Sequence, residues 1–138
     1  MTGVQTCALP IWALEEAGKI SVSGIKEEIN YFIVSPNKKE AMLKHLEEWN
    51  KYKIKTFFDP GQMLGAFSKD ELISWVKHAD FLIVNESEFE LYQKISEKDE
   101  IELLDDFEKV IVTLWSAWSK IIDRSWVLHI APVEVKET

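Results

Sequence analysis

The sequence is poor in glycine and cysteine, and each shortage excludes a class of protein. Its 138 residues include only 5 glycines, below the usual share of about 7%. Neither a Gly-x-Gly-x-x-Gly motif nor a Walker-type phosphate loop occurs, which argues against a dinucleotide-binding or P-loop enzyme. The single cysteine, Cys7, excludes an intrachain disulfide and a metal site built from several thiolates.

Positive charge and long apolar runs are also scarce. The chain has 24 acidic and 16 basic side chains, a formal net charge of −8, so neither nucleic acid nor an anionic membrane surface is expected as the main partner. No apolar run approaches the roughly 20 residues that span a bilayer. With 46% hydrophobic residues, the chain can bury one modest core, which predicts a single domain.

Residues 1–11 differ from the rest of the chain. They lack the basic start of a signal peptide, and Pro10 interrupts their only apolar stretch. Their reverse translation with a GTG start matches a common short-read sequencing adapter without a gap. We therefore interpret residues 1–11 as a non-native leader and residues 12–138 as a fragment of a single α/β domain. A genuine, disordered N-terminus is the alternative.

Short apolar runs rich in β-branched and aromatic residues alternate with segments of helical spacing. The runs predict strands at 29–34, 54–58, 81–84 and 110–114, and the segments between them predict helices at 37–52, from 68, at 89–95 and at 101–108. Three of these helices have a capping-box signature at their start, namely Asn37 with Glu40, Ser68 with Glu71 and Ser87 with Glu90. The alternation predicts a parallel sheet flanked by helices.

The two ends of this pattern are less regular. Residues 120–123 and 127–130 predict two antiparallel strands around a turn at Arg124 and Ser125, followed by an extended piece at 133–135. Before residue 29, segment 13–17 resembles a helix end with Gly18 as its stop, and Ile20 and Val22 alternate like a short edge strand.

Polar residues follow the predicted parallel strands. Because the carboxyl ends of parallel strands meet at one edge of a sheet, where ligands bind in open α/β folds, these residues predict a small-molecule site compatible with a phosphorylated ligand. Apart from segment 35–37 after the first strand, the candidates are Asp59, Asn85, Glu88, Thr113, Trp115 and Ser116.

Each candidate also has a purely structural interpretation. Asn85 and Glu88 could cap a helix and complement its dipole. Segment 59–61 has the composition of an ordinary turn, and Thr113 could satisfy backbone groups at a strand end. None of the three histidines has metal-ligand spacing; they are His45, His78 and His129.

Three segments, in this order along the chain, carry a family resemblance. They are Phe58-Asp59-Pro60-Gly61-Gln62, Asn85-Glu86-Ser87-Glu88, and residues 110–114 followed by Ser116, Ala117 and Ser119. They resemble the strand-end Asp-Pro motif, the Asn-x-x-Glu motif and the Val-Thr-Leu-Gly-x-x-Gly-Ser segment of the PfkB carbohydrate kinases. Within this group, also called the ribokinase family, the similarity is to adenosine-kinase-like sugar and nucleoside kinases.

The resemblance implies a ribokinase-like fold and a cytoplasmic kinase that transfers the γ-phosphoryl group of ATP, with Mg²⁺, to a hydroxyl of a sugar or nucleoside. It implies that Glu88 and Asn85 organise Mg²⁺ indirectly, through its waters. The same resemblance places Asp59 near the phosphates, and Thr113, Trp115 and Ser116 beside the nucleotide.

The chain departs from the family pattern at two tryptophans. The family has glycine at the positions of Trp115 and Trp118, where backbone approaches the nucleotide and an indole would fill that space. Trp126 also follows a turn where glycine would be natural. One base change converts a GGG glycine codon into TGG, so the 6 tryptophans and few glycines fit sequence errors. A genuine but degenerate paralogue is the alternative.

A second departure concerns the catalytic segment. The family continues into an Asp-x-Thr-Gly-Ala-Gly-Asp motif that supplies the anion hole and the general base, whereas this sequence stops at Thr138. We therefore expect no catalytic residue in the chain and an inactive kinase fragment. A non-catalytic α/β binding or regulatory module, or a non-functional gene fragment, remain the alternatives.

Overall fold

The computed structural model describes residues 15–24, 29–114 and 118–132. In this part the chain forms six strands and three α-helices, in addition to the helical residues 15 and 16. In chain order they are β1 Tyr31–Val34, α1 Lys39–Lys51, β2 Lys55–Phe58, α2 Lys69–Val76, β3 Phe81–Asn85, α3 Glu86–Ser96, β4 Lys109–Leu114, β5 Trp118–Ile122 and β6 Val127–Ile130. Short 3₁₀ turns cover Ala17–Lys19, Gly61–Ala66 and Glu102–Asp105.

The strands form one six-stranded sheet in their sequence order. Strands β1 to β4 are parallel, and β5 and β6 continue the sheet antiparallel. The parallel register places Asn85, the last residue of β3, directly opposite Thr113 of β4. The predicted fold class, a parallel sheet flanked by helices with antiparallel strands at the C-terminal end, is therefore confirmed.

All three helices pack on the same face of the sheet. In the register Val34, Phe58, Leu82 and Val110 form one row across β1 to β4, and all four are buried. Aromatic contacts tie this face to the helices: Phe58 of β2 lies edge-on to Trp75 of α2, with ring centroids 6.4 Å apart. Right-handed crossovers between strands that follow one another in order place every helix on one side.

The opposite face carries apolar side chains that no described helix covers. Tyr31 and Ile33 of β1 are 63% and 45% exposed. The rings of Tyr31 and Phe57 are 6.3 Å apart, and those of Phe57 and Phe81 are 4.6 Å apart, so an aromatic row crosses the first three strands. No helix in the described residues is long and apolar enough to cross a membrane.

The helix starts differ in part from the predicted ones. Helix α2 begins as predicted, with Ser68 and Glu71 forming a capping box. Helix α1 does not use Asn37, because its N-cap is Lys38, which has no side-chain cap bond. The Asn37 side-chain oxygen instead accepts from the Lys38 backbone N–H at 2.8 Å. The prediction of a box from Asn37 and Glu40 is wrong, since the helix starts one residue too late for it.

Segment 101–108 is not a full helix either. It holds a single 3₁₀ turn, Glu102–Asp105. The Asp99 side chain accepts the backbone N–H groups of Ile101 and Glu102, both at 2.8 Å, and so satisfies the donors of this turn locally. The chain then enters β4 at Lys109, which leaves no room for a second turn.

The remaining differences lie near the ends of the described chain. Residues 15 and 16 are helical, as predicted, but the chain continues from them into a 3₁₀ turn that contains Gly18, so Gly18 is not the stop; Ile20 and Val22 form no strand. The Val22 backbone N–H donates to the Glu48 side chain of α1 at 3.1 Å, so its partner is a helix and not a neighbouring strand. Strand β5 begins at Trp118, two residues before its predicted start. Segment 133–135 lies outside the described residues.

Candidate functional site

The carboxyl ends of the parallel strands enclose a cleft of about 340 Å³. Because β1 to β4 run in the same direction, their carboxyl ends meet at one edge, as the sequence predicted. Residues after β1 and β2, the end of β3, the first turn of α3 and the end of β4 all contribute. They are Pro36, Asp59, Gly61, Gln62, Ile83, Val84, Asn85, Glu88 and Thr113.

Asn85 and Glu88 are joined as a capping box at the start of α3. The Glu88 backbone N–H donates to Asn85 Oδ1, and the Asn85 backbone N–H donates to Glu88 Oε2, both at 2.9 Å. The predicted box from Ser87 and Glu90 is wrong, because β3 passes into α3 without a linker and its last residue is the N-cap. The structural role of Asn85 and Glu88 is thus real.

Capping leaves part of each side chain for other partners. One Glu88 oxygen, Oε1, and the Asn85 amide nitrogen make no hydrogen bond within the described part of the chain. Both side chains are half-buried and line the cleft. The box therefore fixes the orientation of the Glu88 carboxylate and engages only one of its two oxygens. A cap and a ligand contact are compatible here.

Asp59 lies across the cleft from Glu88 and is half-buried. Burial, and then the negative charge of Glu88, raise the pKa of the Asp59 carboxyl, while the Gly61 backbone N–H acts in the opposite direction. Two carboxylates close enough to influence each other, at a partly buried edge, favour a cation between them.

Thr113 contributes from the neighbouring strand. Its side chain is exposed, and its hydroxyl donates to the Val84 carbonyl oxygen at 3.4 Å, a long hydrogen bond. Thr113 is therefore available to the cleft. Trp115 and Ser116, also predicted for this site, lie outside the described residues.

Trp118 does not lie on the Thr113 side of the sheet. It pairs with Leu114, one residue beyond Thr113, so its side chain is on the opposite face. There the 50% exposed indole stands edge-on to His129, with ring centroids 6.0 Å apart, beside a second cavity of about 550 Å³. Trp126, at the hairpin, receives the Lys109 ammonium 5.0 Å from its ring centre.

Sequence reasoning missed two features of the cleft. Ile83 lines it although it was assigned only to a buried strand. Gly61 has a positive φ of 48°, and a side chain there would collide with Pro36. The Pro-Gly pair signalled a turn, but not that the turn packs against the end of β1. Among the described residues, no group of three or more His, Cys, Asp or Glu side chains could hold a metal ion by itself.

Comparison with known proteins agrees with this architecture. No protein-family model matches the sequence. The nucleoside kinase of Burkholderia thailandensis, solved in complex with inosine, superposes with a TM-score of 0.75 at 25% identity, over 88% of this chain and 39% of that one. The resemblance to the ribokinase family is thus confirmed.

Further ribokinase-like structures share the fold. The Methanocaldococcus jannaschii nucleoside kinase, an archaeal member of the ribokinase family, superposes with a TM-score of 0.79 at 22% identity, over 91% of this chain and 41% of that one. Adenosine kinase from Anopheles gambiae gives a TM-score of 0.60 at 17% identity, over 83% of this chain and 40% of that one. These two likenesses concern the fold alone.

A curated relative gives the same indication from sequence. It is a nucleoside kinase of M. jannaschii, 33% identical over 73 residues, which is 53% of this chain and 24% of the relative. The chain thus spans about a quarter of the curated relative and about two fifths of the solved structures.

Proposed function

We propose that the cleft holds the phosphates of ATP together with Mg²⁺, in a ribokinase-family kinase that phosphorylates a hydroxyl of a nucleoside. One observation carries this proposal. Asp59 and the Asn85–Glu88 box meet at the carboxyl edge of the sheet, in a fold shared with nucleoside kinases. Residues 12–138 would form part of the kinase domain, and residues 1–11 would contribute nothing to it.

The donor set of the cleft fits Mg²⁺. This ion takes oxygen ligands, keeps several waters, and is held in kinases by one or two carboxylates plus substrate phosphates. Asp59 and the Oε1 atom of Glu88 supply carboxylate oxygens, with Asn85 beside them. When bound, Mg²⁺ would neutralise phosphate charge and order the transferred group.

The charges of α3 explain why a cation would be required. A helix N-terminus attracts phosphate through its free N–H groups and its dipole. The first turn of α3, however, carries Glu86 and Glu88, which repel phosphate. A divalent ion between these carboxylates and the phosphates would convert the repulsion into a bridge. Thr113, one strand away, would give up its long bond to the Val84 carbonyl oxygen and donate its hydroxyl to the nucleotide instead.

A nucleoside is favoured over a simple sugar as the acceptor. The B. thailandensis kinase was solved with inosine and with ADP-inosine, and the curated relative is a nucleoside kinase. We infer that the general base and the anion hole are not supplied by residues 12–138, so this chain alone would not turn over. A cytoplasmic location, where ATP is available, stays a prediction.

Calorimetric titration with ATP, with and without Mg²⁺, tests the proposal. We expect weak Mg²⁺-dependent binding by the chain as it is. Trp118 lies on the other face of the sheet from Thr113, so only the indole of Trp115 is expected to crowd the nucleotide, and the Trp115→Gly variant should bind more tightly. In that variant Glu88→Gln should remove the Mg²⁺ dependence, because glutamine still completes the capping box but loses the charge.

Helix α2 provides the matched control. Its box, Ser68 with Glu71, has the same geometry but lies outside the cleft. Glu71→Gln should therefore leave the Mg²⁺ dependence of ATP binding unchanged. Equal effects of Glu71→Gln and Glu88→Gln would reduce Glu88 to a helix cap and contradict the proposed function.

A further inference from the structure

The turn that carries Asp59 is packed against the end of β1 through a glycine. Gly61 has φ of 48°, and a Cβ atom at this position would lie 2.3 Å from Pro36 Cγ and 3.4 Å from Pro36 Cβ. Carbon atoms do not approach to 2.3 Å without displacement, and L-residues with side chains rarely adopt this φ. Only glycine lets the turn lie this close to Pro36.

The same contact borders the Asp59 carboxylate. The Cβ position of Gly61 is also 3.5 Å from Asp59 Oδ1, so Gly61 adjoins both the proline ring and the carboxylate. The Asp59 backbone N–H donates to the Val34 carbonyl oxygen at 2.9 Å, which anchors this residue to the last residue of β1. Any side chain at position 61 would push the turn away from β1 and shift the Asp59 carboxylate.

We propose that Gly61, held against the Pro36 ring, is a positioning residue that sets the place of the Asp59 carboxylate opposite Glu88. This inference rests on the proposed function, in which these carboxylates hold Mg²⁺. Contact between β1 and β2 would thereby fix one metal-binding group, and the capping box of α3 would fix the other. Two independent elements would define the distance between the two carboxylates.

The test is the affinity for Mn²⁺, used as a paramagnetic substitute for Mg²⁺ and followed by broadening of the Asn85 and Thr113 amide resonances. Gly61→Ala should weaken Mn²⁺ binding about tenfold or more, the usual effect of disturbing groups that orient metal ligands. Adding Pro36→Ala, which removes the colliding Cγ atom, should restore part of the affinity, while the strain of alanine at a positive φ remains. Pro36→Ala alone is the reference for this double variant, because the two chains differ only at position 61.

Gly65 supplies the matched control in the same 3₁₀ turn, because a Cβ there meets nothing within 4 Å. Gly65→Ala should leave Mn²⁺ affinity unchanged. If Gly61 only stabilised the fold, Gly61→Ala would lower the unfolding midpoint while its folded fraction bound Mn²⁺ normally, which would overturn the positioning role. So would a double variant that is folded but no better at binding than Gly61→Ala.

Failure of the proposed function gives a different result. If Mn²⁺ broadens neither the Asn85 nor the Thr113 amide resonance of the parent chain, the cleft is not a metal site and both proposals are wrong. If the parent chain and Gly61→Ala bind Mn²⁺ equally well, only the positioning role of Gly61 is contradicted. If Gly61→Ala does not fold, the Mn²⁺ affinity of the double variant is compared with that of Pro36→Ala alone, because the two chains differ only at position 61. Equal affinities would then contradict the positioning role.

Discussion

At the scale of single residues, the two capping boxes show how one pattern serves two purposes. Ser68 with Glu71 and Asn85 with Glu88 have the same spacing and the same reciprocal bonds. Their surroundings differ. Glu71 faces the Lys39 ammonium at 2.6 Å, whereas Glu88 faces Asp59. A carboxylate beside a cation is satisfied by the protein, and one beside another carboxylate favours a cation from solution.

Glu71 gives a pH-dependent prediction. The hydrogen bond from Lys39, followed by that from the Ser68 backbone, lowers the pKa of Glu71 to about 2. Because the folded-state pKa lies below its ordinary value, 4.5, the stabilisation is present above pH 4.5 and is lost as pH falls through about 2. The unfolding midpoints of the parent chain and Glu71→Gln should therefore converge over this range.

The Lys39 partner can be tested in the same series. Lys39→Met removes the first cause of the lowered pKa. In a Lys39→Met background, the difference in unfolding midpoint that Glu71→Gln produces at neutral pH should therefore shrink. Thermal unfolding at about pH 7, 4.5, 3 and 2, a series that spans the expected titration, would measure it. A gap between the parent chain and Glu71→Gln that stays constant across the series would contradict the assignment.

At the scale of elements, the β2–β3 junction depends on a side chain. These strands pair directly at only two positions, whereas β3 and β4 pair at five. Asp80, just before β3, extends the junction: its Oδ2 accepts the Thr56 backbone N–H at 2.8 Å, and its own N–H donates to the Thr56 carbonyl oxygen at 2.9 Å. Its other oxygen accepts from Lys55 Nζ at 2.7 Å and raises the pKa of Lys55.

Removing this acceptor should destabilise the sheet. Asp80→Ala leaves the Thr56 N–H without a partner, which costs about 1–3 kcal/mol when the donor is buried. Asp80→Asn keeps an acceptor oxygen and should cost less. Urea unfolding of the two variants measures the difference in the free energy of unfolding. Equal losses in both would mean that the Lys55 ion pair, and not the bond to Thr56, holds the junction.

The elements also show what sequence could predict. Each of the first four strands is a short, mostly apolar run with one buried face, so its sequence pattern does not depend on how the helices are arranged. Parallel connectivity then places the strand ends together. The start of α3 was ambiguous because Asn85–Glu88 and Ser87–Glu90 both have capping spacing, and only the continuation of β3 to Asn85 decides between them. The positive φ of Gly61 could not be predicted from the sequence, because a Pro-Gly pair is compatible with several turn types.

At the scale of the whole molecule, one face of the sheet is covered and the other is open in the described part of the chain. Parallel sheets normally bury both faces. The open face presents a continuous apolar row from β1 through β5, comprising Tyr31, Ile33, Phe57, Phe81, Ile83, Ile111 and Ile121. Its two lysines, Lys55 and Lys109, are paired with Asp80, Glu108 and Asp123 at one rim.

This face should make the isolated chain self-associate. Although the net charge of −8 opposes contact between copies, the six described strands contain no carboxylate, so two copies can approach through the open face. Sedimentation velocity should show a mass above 16.0 kDa that rises with protein concentration. Ile33→Asp, at the centre of the exposed β1 segment, should shift the chain to monomer at equal concentration.

The other candidate surface is β6, which has no further neighbouring strand in the described residues and whose Val127, Leu128 and Ile130 are each nearly half exposed. An uncovered edge strand can pair with another chain. Val127→Asp separates the two cases, because Val127 belongs to this edge and points to the helix side of the sheet. If association uses the open face, Val127→Asp should leave the sedimentation profile unchanged. A profile that responds to Val127→Asp and not to Ile33→Asp would assign the association to edge pairing, and the open face would then be stable in water without a partner.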